Sequence, residues 1–70
     1  MKHKYEIIIS WSADDNVFIA EAPELAGCKA DGSSYAEAVK NIEIVIDEWI
    51  ETATILKRSI PKPKGKLIYA

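Results

Sequence analysis

Residues 34–58 read SYAEAVKNIEIVIDEWIETATILKR, and this stretch decides the fold. Tyr35, Ala38, Ile42, Val45, Ile46, Trp49, Ala53 and Leu56 recur at steps of three and four, the spacing that puts side chains on one face of an α-helix. The run predicts a helix of about six turns. Its start is marked by Ser34 followed three residues later by Glu37. In that arrangement the hydroxyl accepts the Glu37 amide and the carboxylate returns to the Ser34 amide, so two unpaired donors of the first turn gain partners. Its end is marked by Lys57 and Arg58, whose charge suits the negative end of the helix. Pro61 and Pro63, which lack the amide hydrogen a continuing helix needs, close it off.

A helix with one broad apolar face must cover something, and the residues before it supply a sheet. In residues 5–11, Tyr5, Ile7, Ile9 and Trp11 alternate with Glu6, Ile8 and Ser10, the period of a strand with one buried face. Ala13, Asp14, Asp15 and Asn16 form a turn cluster whose short polar side chains can bond their own backbone. Residues 17–22, VFIAEA, then resume a β-branched and aromatic pattern, which predicts a hairpin. Pro23, Glu24, Leu25, Ala26 and Gly27 reverse the chain before a short third strand at residues 28–31. After the helix, residues 66–69 have room for one last strand. The reading is an α+β fold of order βββαβ, an antiparallel meander with one long helix. It is a single domain over residues 1–70, without repeat or linker.

Composition narrows the function classes. A chain of 70 residues buries only about 60% of the surface it exposes when unfolded, so its core is marginal and association with a partner or a second copy is favoured. Hydrophobic residues at 49% and charged residues at 29% belong to a globular domain rather than a disordered one. A net charge of −2 does not supply the basic surface that nucleic-acid binding draws on. No direct nucleic-acid binding is expected, and a cationic protein partner suits the chain better. Cys28 is the sole cysteine, so an intramolecular disulfide is excluded and a cytoplasmic location is the expectation. The apolar runs are too short for a signal core or a membrane span.

Four segments in this order resemble the HicB family of antitoxins. They are the strand that opens at Tyr5, the run VFIAEAPELAGC at residues 17–28, the run DGSSYAEA at residues 31–38, and IPKP at residues 60–63. The resemblance spans nearly the whole chain. It implies a partial, degenerate ribonuclease-H-like fold with the last strand beside the first. It also implies a partner, a small HicA-like toxin that resembles a double-stranded-RNA-binding domain and cleaves messenger RNA. Many HicB proteins continue into a helix-turn-helix or ribbon-helix-helix module that represses their operon. This chain stops at Ala70, like a short form lacking that module, so operator binding of its own is not expected.

No residue set points to catalysis. A ribonuclease-H-like outline calls for clustered carboxylates that hold two metal ions, but residues 5–11 offer only Glu6, on the polar side. Asp14 and Asp15 are neighbours in a turn, where such residues cap backbone amides more often than they bind a cation. His3 has no cysteine or histidine at ligand spacing and reads as a frayed terminus, and Cys28 reads as a small buried hydrophobe. Trp11 and Trp49 continue apolar faces and read as core rather than as a stacking platform for bases. The expectation is a protein with no enzyme activity, no cofactor and no metal.

One arrangement is not explained by local stability. Glu43, Asp47 and Glu51 follow at four-residue spacing, which costs a helix roughly 0.2–0.5 kcal/mol per like-charged pair. Glu48 flanks the row, and the helical angles put Ile44 and Ile55 on the same outer side. A solvated face is one reading. A docking surface for a basic partner is the other, since complementary charge speeds encounter and apolar contact retains it. Asp14, Asp15, Glu24, Glu43, Asp47 and Glu51 are accordingly the candidate partner-binding residues. Three functions compete: masking of a toxin, an orphan oligomeric domain with another protein partner, and a degenerate nuclease. A homodimer or homotetramer is expected, because Ile8 with Phe18 and Ala20, or else Val17 and Ile19, leaves apolar residues on the sheet face away from the helix.

Overall fold

The computed structural model describes residues 3–63. Three strands, β1 (Ile8–Ser12), β2 (Val17–Glu21) and β3 (Lys29–Gly32), precede one helix, α1 (Tyr35–Ile55). The sheet is an antiparallel meander of order β1-β2-β3. The protein is therefore a small α+β domain of βββα topology. The strand expected at residues 66–69 lies outside the described residues.

Helix α1 starts as its sequence predicts. Ser34 has extended backbone angles and its hydroxyl accepts the Glu37 amide at 3.1 Å. The Glu37 carboxylate, however, turns back to the amide of Ser33 at 2.8 Å and to its hydroxyl at 3.2 Å, not to Ser34. The far end closes by chain reversal rather than by charge. Lys57 takes φ 57°, and the Arg58 and Lys57 amides donate to the carbonyls of Ala53 and Thr54 at 2.8 and 3.2 Å. This is a Schellman cap with a lysine where glycine is usual. Lys57 and Arg58 thus lie just beyond the helix, whose last turn holds no basic residue.

The strand register decides which side of the sheet meets the helix. Ile9 pairs with Ala20, which pairs with Ala30; Trp11 pairs with Phe18, which pairs with Gly32. These rows lie on the α1 side, because Ala20 is fully buried together with Ala22, Cys28, Ala38, Ile42 and Ile46, and Ile9, Phe18 and Ala30 pack against that cluster. Small residues dominate the layer, so the helix settles close onto β2 and β3. A Cβ added at Gly32 would come within 2.5 Å of the Ala38 nitrogen and 2.8 Å of the Glu37 carbonyl carbon. Leu25, Ile42 and Ile46, each at most 1% exposed, supply the bulk. Each contributes about 1.5–3 kcal/mol by the usual transfer scale.

Period two then puts Ile8, Val17 and Ile19 on the opposite face. Phe18 and Ala20 belong to the helix side, so the alternative that paired them with Ile8 is excluded by the register.

Three expectations are corrected. The first strand begins at Ile8 and not at Tyr5. The Glu6 amide donates to a side chain, the Glu24 carboxylate, at 3.0 Å, which takes it out of any ladder. Trp11 is 52% exposed, because Gly32 and the two alanines of the layer draw α1 toward β3 and leave the β1 edge of this face uncovered. Tyr35 and Leu56, at the two ends of the helical face, are exposed as well, at 62% and 54%.

Candidate partner-binding surface

The six candidate carboxylates are spread along the length of the fold. Asp14 and Asp15 sit in the β1–β2 turn, beside the start of α1, because β3 runs back to that end before the helix begins. Both are exposed. Asp15 is held by Ser12, its amide 3.4 Å and its Oδ2 3.3 Å from the Ser12 hydroxyl, and Asn16 takes the left-handed angle φ 56° that the tight turn needs. The turn-forming role read from the sequence is the one observed. It leaves the Asp14 side chain facing water.

Glu24 lies at the opposite end, and the other three run from the middle of α1 toward its C-terminus. Glu24 occupies the β2–β3 loop, which is closed by the Ala22 amide on the Cys28 carbonyl at 3.0 Å and turned by Gly27 at φ 73°. That loop is docked on the helix by the Trp49 indole, whose Nε1 donates to the Ala26 carbonyl at 2.9 Å. Trp49 is half-buried against the core, as its helical position implies. Glu43, Asp47 and Glu51 run along one edge of α1; the first two are half-buried and Glu51 is exposed.

Two of these carboxylates have structural work. Glu24 accepts the Glu6 amide, and Asp47 lies 2.7 Å from His3 Nε2. Together they fasten the N-terminal segment across the helix, with Tyr5 between them. Tyr5 is 8% exposed and its hydroxyl donates to the Pro61 carbonyl, so the segment also ties down the chain after the helix. Burial, and next the nearby Glu24 charge, push the Tyr5 phenol above its usual value. His3 is therefore no frayed terminus. Sequence reasoning missed this because a lone histidine carries no periodic signal, and its partner is 44 residues away.

Among the described residues, no group of three or more His, Cys, Asp or Glu could hold a metal ion. Cys28 is buried, and burial raises its thiol pKa, which disfavours the thiolate that a nucleophile requires. Among the described residues, no helix is long and apolar enough to cross a membrane.

What remains is a small α+β protein whose surface carries acidic and basic side chains, exposed aromatic rings and a sheet face of mixed character. It is 35% identical over 63 residues, 90% of this chain and 85% of the relative, to a UPF0150 protein of Synechocystis sp.. The chain belongs to the UPF0150 family. No family model matches it. No solved structure matches it either.

Proposed function

We propose that this UPF0150 protein is an antitoxin-type binding module of HicB character that neutralises a small, basic, HicA-like mRNA-cleaving toxin by covering it. The observation that carries the reading is the order and spacing of the four HicB-like segments. Most of their residues fall within the 63 that align with the UPF0150 relative at 35% identity. The charge distribution supports it: Asp14, Glu43 and Glu51 project from the turn and the helix edge without gathering into a metal-binding group. Acidic groups of this kind steer a cationic RNA-binding surface toward the chain and compete with phosphate for it.

The sheet face bearing Ile8, Val17 and Ile19, shared with Ser10, Ser12, Glu21, Lys29 and Asp31, offers a mixed surface for self-association into a homodimer or tetramer, which keeps the proposed toxin-facing groups of the helix and turn available. The test is co-expression with a small basic protein, where one is encoded beside this chain. Neutralisation predicts that cells survive toxin induction when the chain is present and arrest when it is absent. Continued arrest with the chain in excess contradicts the proposal. If that neighbour is lacking, the open sheet face favours the orphan oligomeric module instead.

A further inference from the structure

The least expected surface in the molecule is aromatic. Trp11 of β1 and Phe18 of β2 are cross-strand partners with ring centroids 4.9 Å apart, edge to face. Phe18 in turn meets Tyr35, the first residue of α1, at 4.4 Å. The three rings form one continuous ladder bridging the β1 edge and the helix start. Its outer members are open to water, Trp11 at 52% and Tyr35 at 62% exposure. Single exposed hydrophobic residues are ordinary in soluble proteins; contiguous aromatic rings on a small domain are not.

Charge identifies the occupant. Residues 11–18, WSADDNVF, and residues 33–38, SSYAEA, contain Asp14, Asp15 and Glu37 and no lysine or arginine. Both aspartates are exposed and lie in the β1–β2 turn, three and four residues after Trp11. A π-face near exposed carboxylates attracts a cation, and a planar guanidinium serves best because it stacks on the ring while its edge donates to a carboxylate. A nucleic acid could also stack on such rings, but the neighbouring carboxylates repel its phosphates.

We propose that Trp11, Phe18 and Tyr35, flanked by Asp14 and Asp15, form a docking site for an arginine side chain of a basic protein partner. The site rests on the reading of the partner as a basic protein and narrows it to one surface, the turn end rather than the Glu43–Glu51 edge of the helix. It also ranks the candidate carboxylates: Asp14 and Asp15 contact the partner, whereas Glu24 and Asp47 hold the fold.

The test is a titration of the folded chain followed by heteronuclear NMR, with tetra-arginine, tetra-lysine and a short oligouridylate as probes. The expected result is movement of the Trp11 indole signal and the Phe18 and Tyr35 ring signals with tetra-arginine. Tetra-lysine should bind more weakly. Trp11→Ala, an exposed position, should weaken arginine binding about two- to fivefold, whereas Trp49→Phe should leave it unchanged. Asp14→Asn with Asp15→Asn should weaken both cationic probes. Equal affinity for the two peptides with a stationary Trp11 signal would overturn the site, as would an unaffected Trp11→Ala protein. Stronger movement of the same rings with oligouridylate would also overturn it, in favour of a nucleic acid. No toxin enters this titration, so a failed neutralisation assay refutes the proposed function and leaves the site standing, and the reverse outcome refutes only the site.

Discussion

Gly32→Ala should be among the most damaging single-methyl changes available in this chain. The added Cβ would sit 2.5 Å from the Ala38 nitrogen, 2.8 Å from the Glu37 carbonyl carbon and 2.9 Å from the Ala38 Cα. All three are backbone atoms, so no side chain can rotate away. Ordinary carbon contacts need about 3.5–4.0 Å, so β3 and the first turn of α1 must part by about 1 Å. Overpacking of that kind costs about 1–3 kcal/mol. Displacing the turn also endangers the Ser34 cap on the Glu37 amide, at about 0.5–2 kcal/mol. It strains the Asn41 side-chain bond to the Asp31 carbonyl at 2.8 Å as well. The combined loss is about 2–4 kcal/mol, against a total stability of roughly 4–10 kcal/mol for a chain this size. Thermal unfolding followed by far-ultraviolet circular dichroism should therefore show a midpoint lowered by at least about 8 °C. Gly27→Ala is the control. That residue has φ 73° with nothing within 4 Å of the added atom, so it should lose only about 1 kcal/mol through backbone strain. A Gly32→Ala protein that melts within about 2 °C of the parent would refute the close approach of strand and helix.

Lys57→Gly should raise stability by about 0.5–1 kcal/mol, because glycine adopts the left-handed C-terminal cap without steric cost; an unchanged urea midpoint would speak against that cap. Trp49→Ala, which opens the core edge and frees the β2–β3 loop, should cost about 3 kcal/mol, and Trp11→Ala about 1 kcal/mol or less. Equal losses would contradict the burial difference. The Tyr5 phenol has a raised pKa in the folded state, so the folded protein holds its proton longer than the unfolded chain does. Its contribution to stability is therefore full below about pH 10 and is lost as pH rises through the folded value. Tyr5→Phe should flatten that alkaline decline, and an identical pH profile for the two proteins would contradict the assignment. Reversing Asp14 and Asp15 to lysine should slow association with a basic partner while hardly altering stability; reversing Glu24 and Asp47 should also destabilise the fold, since both anchor the N-terminal segment.

The helix and its cap were legible because their signals are local. The three- and four-residue period and the Ser34–Glu37 spacing need no knowledge of the rest of the chain, and the pairing of Glu37 with Ser33 rather than Ser34 shifts only one partner. The hairpin was legible for the same reason, with Val17 found as the first residue of β2. The start of β1 was not, because the alternation from Tyr5 onward continues through residues that pack as a tied segment instead of pairing in the sheet. Nothing within that segment announces that Glu24 will take the Glu6 amide or that Asp47 will meet His3. The same limit explains Trp11. Its position in the alternation assigns it correctly to the helix side, yet the lateral placement of α1 over β3 leaves it uncovered, and that placement follows from the small residues at positions 20, 30, 32 and 38 acting together. The Schellman closure at Lys57 escaped notice because lysine is an unusual residue there.

The reading of the chain as an antitoxin-type module is tested most directly by what it holds in its own cell. Purification of the tagged chain from its native host, followed by mass spectrometry of the stoichiometric components, should recover one small basic protein encoded beside it. That pair should dissociate more readily as salt rises, because charge steers the contact. Recovery of the chain alone, as a homo-oligomer with no stoichiometric partner at low salt, would contradict the account.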